Sequence, residues 1–134
     1  MSPDQLLAIM AKQREFGVDD LPGFEGRRIT LRRPTEQQIN ADFIVLVPNP
    51  DTPDEPGARF VVKPEDLHKH AADWAGFTEA DLVGAAGSDD AVPFHPALLQ
   101  AWLAEHPRVA NHLSERMLDV VLNRLKQRSQ DAKN

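Results

Sequence analysis

The amino-acid sequence predicts an α+β fold, mainly α with about five helices and with a small antiparallel β-hairpin or sheet in residues 27–63. Three observations predict it. Apolar residues recur at helical spacing in segments that begin with proline or a capping residue. Between residues 27 and 63, short runs rich in β-branched and aromatic residues replace that pattern. The length of 134 residues suits a single domain, 1–134, with one hydrophobic core.

The first helix is predicted over residues 3–16. Ser2 precedes Pro3 and lies three residues before Gln5, which is the spacing of a capping box with proline at the first helical position. Gly17 is a natural stop. The apolar stripe of this helix, which we expect to pack into the core, consists of Leu6, Leu7, Ile9, Met10 and Ala11.

Four more helices are predicted in the second half of the chain. A helix over 64–75 begins at Pro64, and a one-turn helix closes at Gly84. Prolines also open helices over 96–105 and 107–128, after which residues 129–134 are predicted to fray. The predicted face of helix 64–75 consists of Leu67, His70, Ala71 and Trp74.

The β structure is predicted between these helices. Residues 27–33 alternate apolar and polar side chains, which is typical of a half-buried strand. Residues 35–47 allow two interpretations: the capping-box spacing after Thr35 predicts a helix, whereas the run DFIVLV favours a strand over 42–47 that competes to pair with 28–33. A returning strand at 59–63 would complete a hairpin across a mobile, acidic, proline-rich loop at 48–57.

Charge and composition narrow the function. Residues 35–105 carry three Lys/Arg against thirteen Asp/Glu, a balance that repels phosphate and argues against a nucleic-acid partner. No apolar run reaches the length of a membrane span, and the N-terminus lacks the features of a signal peptide. With no cysteine, a cytosolic protein is expected.

No motif predicts catalysis, a cofactor or a metal. His68 and His70 lie two residues apart on a predicted helix, about 200° around its axis, so they would not share an ion. No serine lies in a nucleophile elbow, and no glycine-rich loop is followed by the Lys-Ser/Thr that binds phosphate. We therefore expect a protein that is not an enzyme and holds no cofactor.

One stretch, DWAGFTEADLVG followed by AVPFHPALLQAWLAEHP, has a distinctive pattern. An aromatic-Gly-aromatic-Thr run and an acid lead through a Val-Pro-Phe-x-Pro turn into an amphipathic helix. Thr78 and Asp81 also have the spacing of a capping box, so we expect a buried corner between helices. The residues of this signature are Trp74, Gly76, Phe77, Thr78, Asp81, Val92, Pro93, Phe94, Pro96, Leu98, Leu99, Trp102 and Leu103.

This pattern resembles the tail assembly chaperones of long-tailed bacteriophages. The upstream RRITLRRPTEQQ is similar to the opening of the same family, so the resemblance covers roughly 27–125 and is firmest over 74–103. Two features depart from the family pattern. The hairpin with its loop at 48–57 is an insertion in a mainly helical family, and residues 1–17 are an added N-terminal helical arm.

The resemblance implies a role in tail assembly by binding alone. Such a chaperone binds the tape-measure protein, keeps it soluble, helps to recruit the tail-tube protein, self-associates, and leaves before the virion is finished, so it acts in the bacterial cytoplasm. Its gene often yields a longer frameshifted product. The alternative is a structural virion component, such as a head–tail connector or tail-completion protein, which would remain in mature particles.

A binding role needs apolar grooves with charged rims. The wide stripes of the last two helices exceed what one small core would cover, and the arginines around strand 27–33 would pair with the acidic centre of a neighbouring copy. The expected partner-binding residues are Arg27, Arg28, Arg32, Arg33, Leu99, Leu103, Leu118, Leu122 and Leu125.

Overall fold

The computed structural model describes residues 1–47, 49–51, 54 and 57–133, and it has an α+β fold. The predicted loop at 48–57 lies largely outside the described residues. The helices are α1 (Pro3–Lys12), α2 (Glu36–Asp42), a 3-10 helix (Pro64–His70), α3 (Glu79–Val83), α4 (Pro96–Ala104) and α5 (Pro107–Lys133), with one further 3-10 turn at Gly84–Ala86. The strands are β1 (Glu15–Val18), β2 (Arg28–Arg32), β3 (Ile44–Val47), β4 (Gly57–Phe60) and β5 (Ala71–Ala75). Within the described residues the helices therefore number six rather than about five, the addition being α2.

A three-stranded antiparallel sheet, in the order β1-β2-β5, positions the other elements. The predicted helix over 64–75 is wrong: its first part is a 3-10 helix and its last part is β5. Leu67 and His70 would share a face in either kind of helix because they lie three residues apart, so periodicity does not distinguish them. Trp74 therefore reaches the core from a strand, opposite Ile29 of β2, instead of from a helix.

The first predicted helix ends at Lys12, and Gly17 lies in β1 rather than at a helix end. A Cβ at Gly17 would meet the guanidinium of Arg28, a flexible side chain that would have to move aside. The capping box of Ser2 and Gln5 is confirmed. The expectation that the apolar stripe of α1 joins the core is wrong, because none of its residues is buried.

Residues 35–47 contain both of the competing structures in succession. Thr35 and Gln38 form the predicted capping box of α2, and β3 follows. The predicted hairpin is confirmed, with Ile44 opposite Phe60, although its second strand is 57–60 rather than 59–63. The pairing with 28–33 is wrong, because both edges of β2 are taken by β1 and β5.

The hydrophobic core lies between the three-stranded sheet and helices α4 and α5. Both helices begin at the predicted prolines, and α5 continues as a helix to Lys133. The most completely buried large side chains come from every part of the chain: Phe77, Ile29, Leu31, Ile39, Leu67, Leu99, Leu113, Met117, Val18, Val109 and Val121.

Candidate partner-binding surface

The signature stretch forms a buried corner between the sheet and the helices. The ring of Trp74 stacks on Phe77 at a centroid distance of 4.6 Å and meets the edge of Phe94 at 5.6 Å. Its indole Nε1 donates a hydrogen bond to the carbonyl of Val92 at 2.7 Å. Phe77 also meets Trp102 edge-on at 5.0 Å. Pro93, between Val92 and Phe94, is exposed. The aromatic residues of the signature therefore hold the corner together.

Asp81 closes the same corner with two sets of hydrogen bonds. Its carboxylate accepts from the backbone N–H of Thr78, while Thr78 Oγ1 accepts in return, so the predicted capping box is confirmed. The guanidinium of Arg27 donates to both carboxylate oxygens, at 2.7 and 3.2 Å. Burial raises the pKa of Asp81, but the hydrogen bonds from Arg27 and Thr78 outweigh it and leave that pKa below its ordinary value.

The four expected arginines differ in what they contact. Arg27 belongs to the corner, and Arg32 lies 3.9 Å from Glu15. Arg33 is half-buried and donates to the carbonyl of Pro34 at 2.8 Å. Burial lowers the pKa of Arg33, and the positive charges of nearby arginines add to the effect. Arg28, lying against Gly17, is the one of the four that is exposed.

The five expected leucines are divided between the core and the surface. Leu99 and Leu103 are buried in the core. Leu118 and Leu125 are half-buried, and Leu122 is 42% exposed on α5. Of these five leucines, only the three on α5 therefore present apolar area outside the core. Leu103 also lines the groove described next.

An apolar groove runs along one side of α5. One part, about 290 Å³, lies between α5, α4 and the 3-10 helix, and it is lined by residues that include Leu103, Ala104 and Pro107. The second part, about 320 Å³, lies between Leu118 of α5 and residues 59–62. Pro64 and Asn111 line both parts, so the two adjoin each other. From Pro107 to Leu118 the groove follows α5 for about 16 Å, the length of three helical turns.

The part of the groove between α4 and α5 is mainly apolar, and the part near Leu118 is lined by polar and apolar atoms alike. Ser114 Oγ is buried beside the second part and has no hydrogen-bond partner among the described residues. Arg59 and Glu115 line the part near Leu118, and Glu65 and His68 line the first part. This combination of apolar area and mixed charge suits an amphipathic helix.

Sequence patterns did not identify this groove. Its walls come from two stretches far apart in the chain, 59–68 and 100–118, and the 3-10 helix in the first was predicted as part of a longer α-helix. Partial signals were present in the sequence: Leu103 and Leu118 were among the expected binding residues, and Pro64 and Pro107 were predicted as helix starts.

The histidines contact aromatic rings or carboxylates. His112 Nε2 lies 3.0 Å from a carboxylate oxygen of Asp20. His106 stacks on Trp102 at 4.4 Å, and His70 meets the ring of Phe43. Across the described part of the chain, no three His, Asp or Glu side chains are grouped as a metal site would require.

No family model, curated protein or solved structure matches the chain. In the described residues, no helix combines the length and the apolar content that crossing a bilayer requires.

Proposed function

We propose that this chain is a tail assembly chaperone of a long-tailed phage, and that it binds the tape-measure protein without catalysing a reaction. The observation that carries the proposal is the groove along α5, which offers apolar area and charged residues of both signs over about three helical turns. A tape-measure protein is a long helical chain, and an exposed amphipathic face of such a chain needs a cover of this kind until the tube assembles around it.

The sequence signature supports the same proposal in a different way. Trp74, Phe77 and Asp81 contact one another or their neighbours inside the corner, so they support the fold that presents the groove. In this proposal the resemblance identifies the class of protein, and the groove residues bind the client. Recruitment of the tail-tube protein belongs to the same proposal and would use a surface outside the groove.

Co-expression with the neighbouring tape-measure gene tests the proposal. The tape-measure protein should become soluble and should co-purify with this chain. Ala104→Glu places a charge on the groove wall and should reduce the recovered tape-measure protein by about tenfold, equivalent to about 1.4 kcal/mol of binding free energy. Ala101→Glu is the matched control, because Ala101 is exposed on the same helix and does not line the groove.

Two results would contradict the proposal. One is failure of the wild-type chain to solubilise or bind the tape-measure protein. The other is recovery of this chain from purified mature virions in stoichiometric amount, which would favour a structural virion component instead.

A further inference from the structure

In the part of the chain that the structure describes, no other element packs extensively on helix α1. Its apolar residues Leu7 and Met10 are 62% and 60% exposed, and Leu6 and Ile9 are 44% and 42% exposed. All four lie on one face of the helix, whereas Ala8 lies on the opposite face. The helix is nevertheless well capped, with both hydrogen bonds of the capping box in place. It is a formed amphipathic helix whose apolar face is uncovered.

The C-terminal end of α1 is attached to the three-stranded sheet. The backbone N–H of Arg33 donates to the carbonyl of Arg14 at 2.8 Å, and Arg14 Nη1 donates to the carbonyl of Arg33 at 2.8 Å. Only Gln13 separates this pair from the end of α1. The C-terminal end of α1 is therefore held beside β1, and the helix has little freedom to move away from that strand.

The groove lies on the far side of α5 from that position. The space beside β1 is bordered by Arg116 of α5, whereas the groove is bordered by Leu118. Residues two apart on an α-helix point about 200° from each other, so β1 and the groove face opposite sides of α5. α1 would have to break the Arg14–Arg33 hydrogen bonds to reach the groove of its own chain.

The dimensions and charges of α1 fit that groove. Ten residues make α1 about 15 Å long, against about 16 Å of groove. Asp4 lies in the first turn of α1 and Lys12 in its last turn. With α1 antiparallel to α5, Asp4 would lie in the part lined by Arg59 and Glu115, and Lys12 in the part lined by Glu65 and His68. Each of the two charges therefore has one opposite charge available in its part of the groove.

We propose that α1 of one copy docks in the groove of a second copy. The contact joins two different surfaces, so it is heterologous, and repeated use of it links copies into a ring or an open chain. The inference does not rest on the tape-measure proposal, since it concerns the chain alone. If both hold, a neighbour's α1 and the client compete for the same groove.

Sedimentation velocity of the full chain over a range of concentrations tests this interface. The wild-type chain should form species larger than 14.9 kDa as concentration rises. Met10→Glu disables the arm and Ala104→Glu blocks the groove, and each variant alone should weaken self-association by at least tenfold. Ala8→Glu and Ala101→Glu are the matched controls on the opposite face of α1 and outside the groove, and both should behave as the wild type does.

Mixing the two defective variants is the sharpest test. The Met10→Glu copy keeps an intact groove and the Ala104→Glu copy keeps an intact arm, so an equimolar mixture should form a species of twice the chain mass and no larger one. Thermal midpoints within a few degrees of wild type establish that the variants fold.

Three results would overturn the inference. If the wild-type chain stays monomeric over the whole concentration range, α1 does not mediate self-association. Self-association that Ala104→Glu leaves intact places the partner of α1 elsewhere, such as on a second α1. If Ala8→Glu and Met10→Glu weaken self-association equally, the apolar face of α1 does not form the contact.

Discussion

The corner around Trp74 and the helix α1 both carry conspicuous apolar residues, and the structure uses them in opposite ways. Trp74 and Phe77 are buried, and the indole N–H and the Asp81 carboxylate both have hydrogen-bond partners. Leu7 and Met10 of α1 are more than half exposed. We therefore expect substitutions in the corner to change stability, and substitutions in α1 and the groove to change binding.

Trp74→Ala should have the largest effect on stability. It removes a ring that stacks on Phe77 and meets Phe94, and it leaves the carbonyl of Val92 without its indole partner. We expect the free energy of unfolding to fall by about 3–5 kcal/mol, measured by urea denaturation at low protein concentration. A loss below about 1 kcal/mol would mean that the corner does not hold the fold.

Gly76 tests the corner at its backbone. Its φ of +82° lies in the left-handed region, and an added Cβ would collide with the carbonyl oxygen of Gly26. Gly23 has a similar φ of +79° with open space around it. Gly23→Ala should therefore cost about 1–2 kcal/mol from backbone conformation alone, and Gly76→Ala about 1–3 kcal/mol more. Equal losses in the two variants would show that the corner relaxes around the extra carbon.

His70 packs against Phe43, the residue before β3, and its burial predicts a pH dependence of stability. Burial lowers its pKa from 6.5, against the attraction of Asp66 and Asp42, while Lys69 and His68 act in the same direction as burial. The folded state therefore binds fewer protons than the unfolded state below pH 6.5. Stability is fully present above that pH and decreases as the pH falls through it, by about 1.4 kcal/mol for each unit by which the pKa is lowered.

The His70→Gln variant isolates this effect. Its free energy of unfolding should vary less between pH 7 and pH 5 than that of the wild type, measured in urea at several pH values. An unchanged slope in His70→Gln would assign the pH dependence to other groups.

Local patterns predicted where helices start better than where they end or whether a segment is a helix or a strand. The capping boxes at Ser2, Thr35 and Thr78 and the prolines that open α4 and α5 are confirmed, because a cap involves residues three apart in sequence. β5 was missed because its strand conformation comes from pairing with β2, about forty residues earlier. Tertiary pairing overrode the helical spacing of residues 67–74.

The expected binding residues were predicted less well than the fold, for a related reason. Apolar spacing identifies which residues share a face of a helix, but it does not say whether another element covers that face. Leu99 and Leu103 are covered, whereas Leu7, which we expected in the core, is not. Whether a helix face is covered depends on the assembled fold. The groove and the uncovered face of α1 could therefore be identified only from the structure.

Leu7→Ala should have the smallest effect, and it tests the other side of the comparison. In dilute solution, where the chain is monomeric, the exposed side chain has no partner to lose, and the free energy of unfolding should change by less than about 0.5 kcal/mol. Leu113→Ala is the matched control: the same atoms are removed from a fully buried site, and the loss should be about 2–5 kcal/mol.

At high protein concentration, docking of α1 in a neighbouring groove should raise the thermal midpoint of the wild type, because binding stabilises the folded state by mass action. Leu7→Ala should lack that rise, and a midpoint independent of concentration in both proteins would leave α1 without a role in self-association.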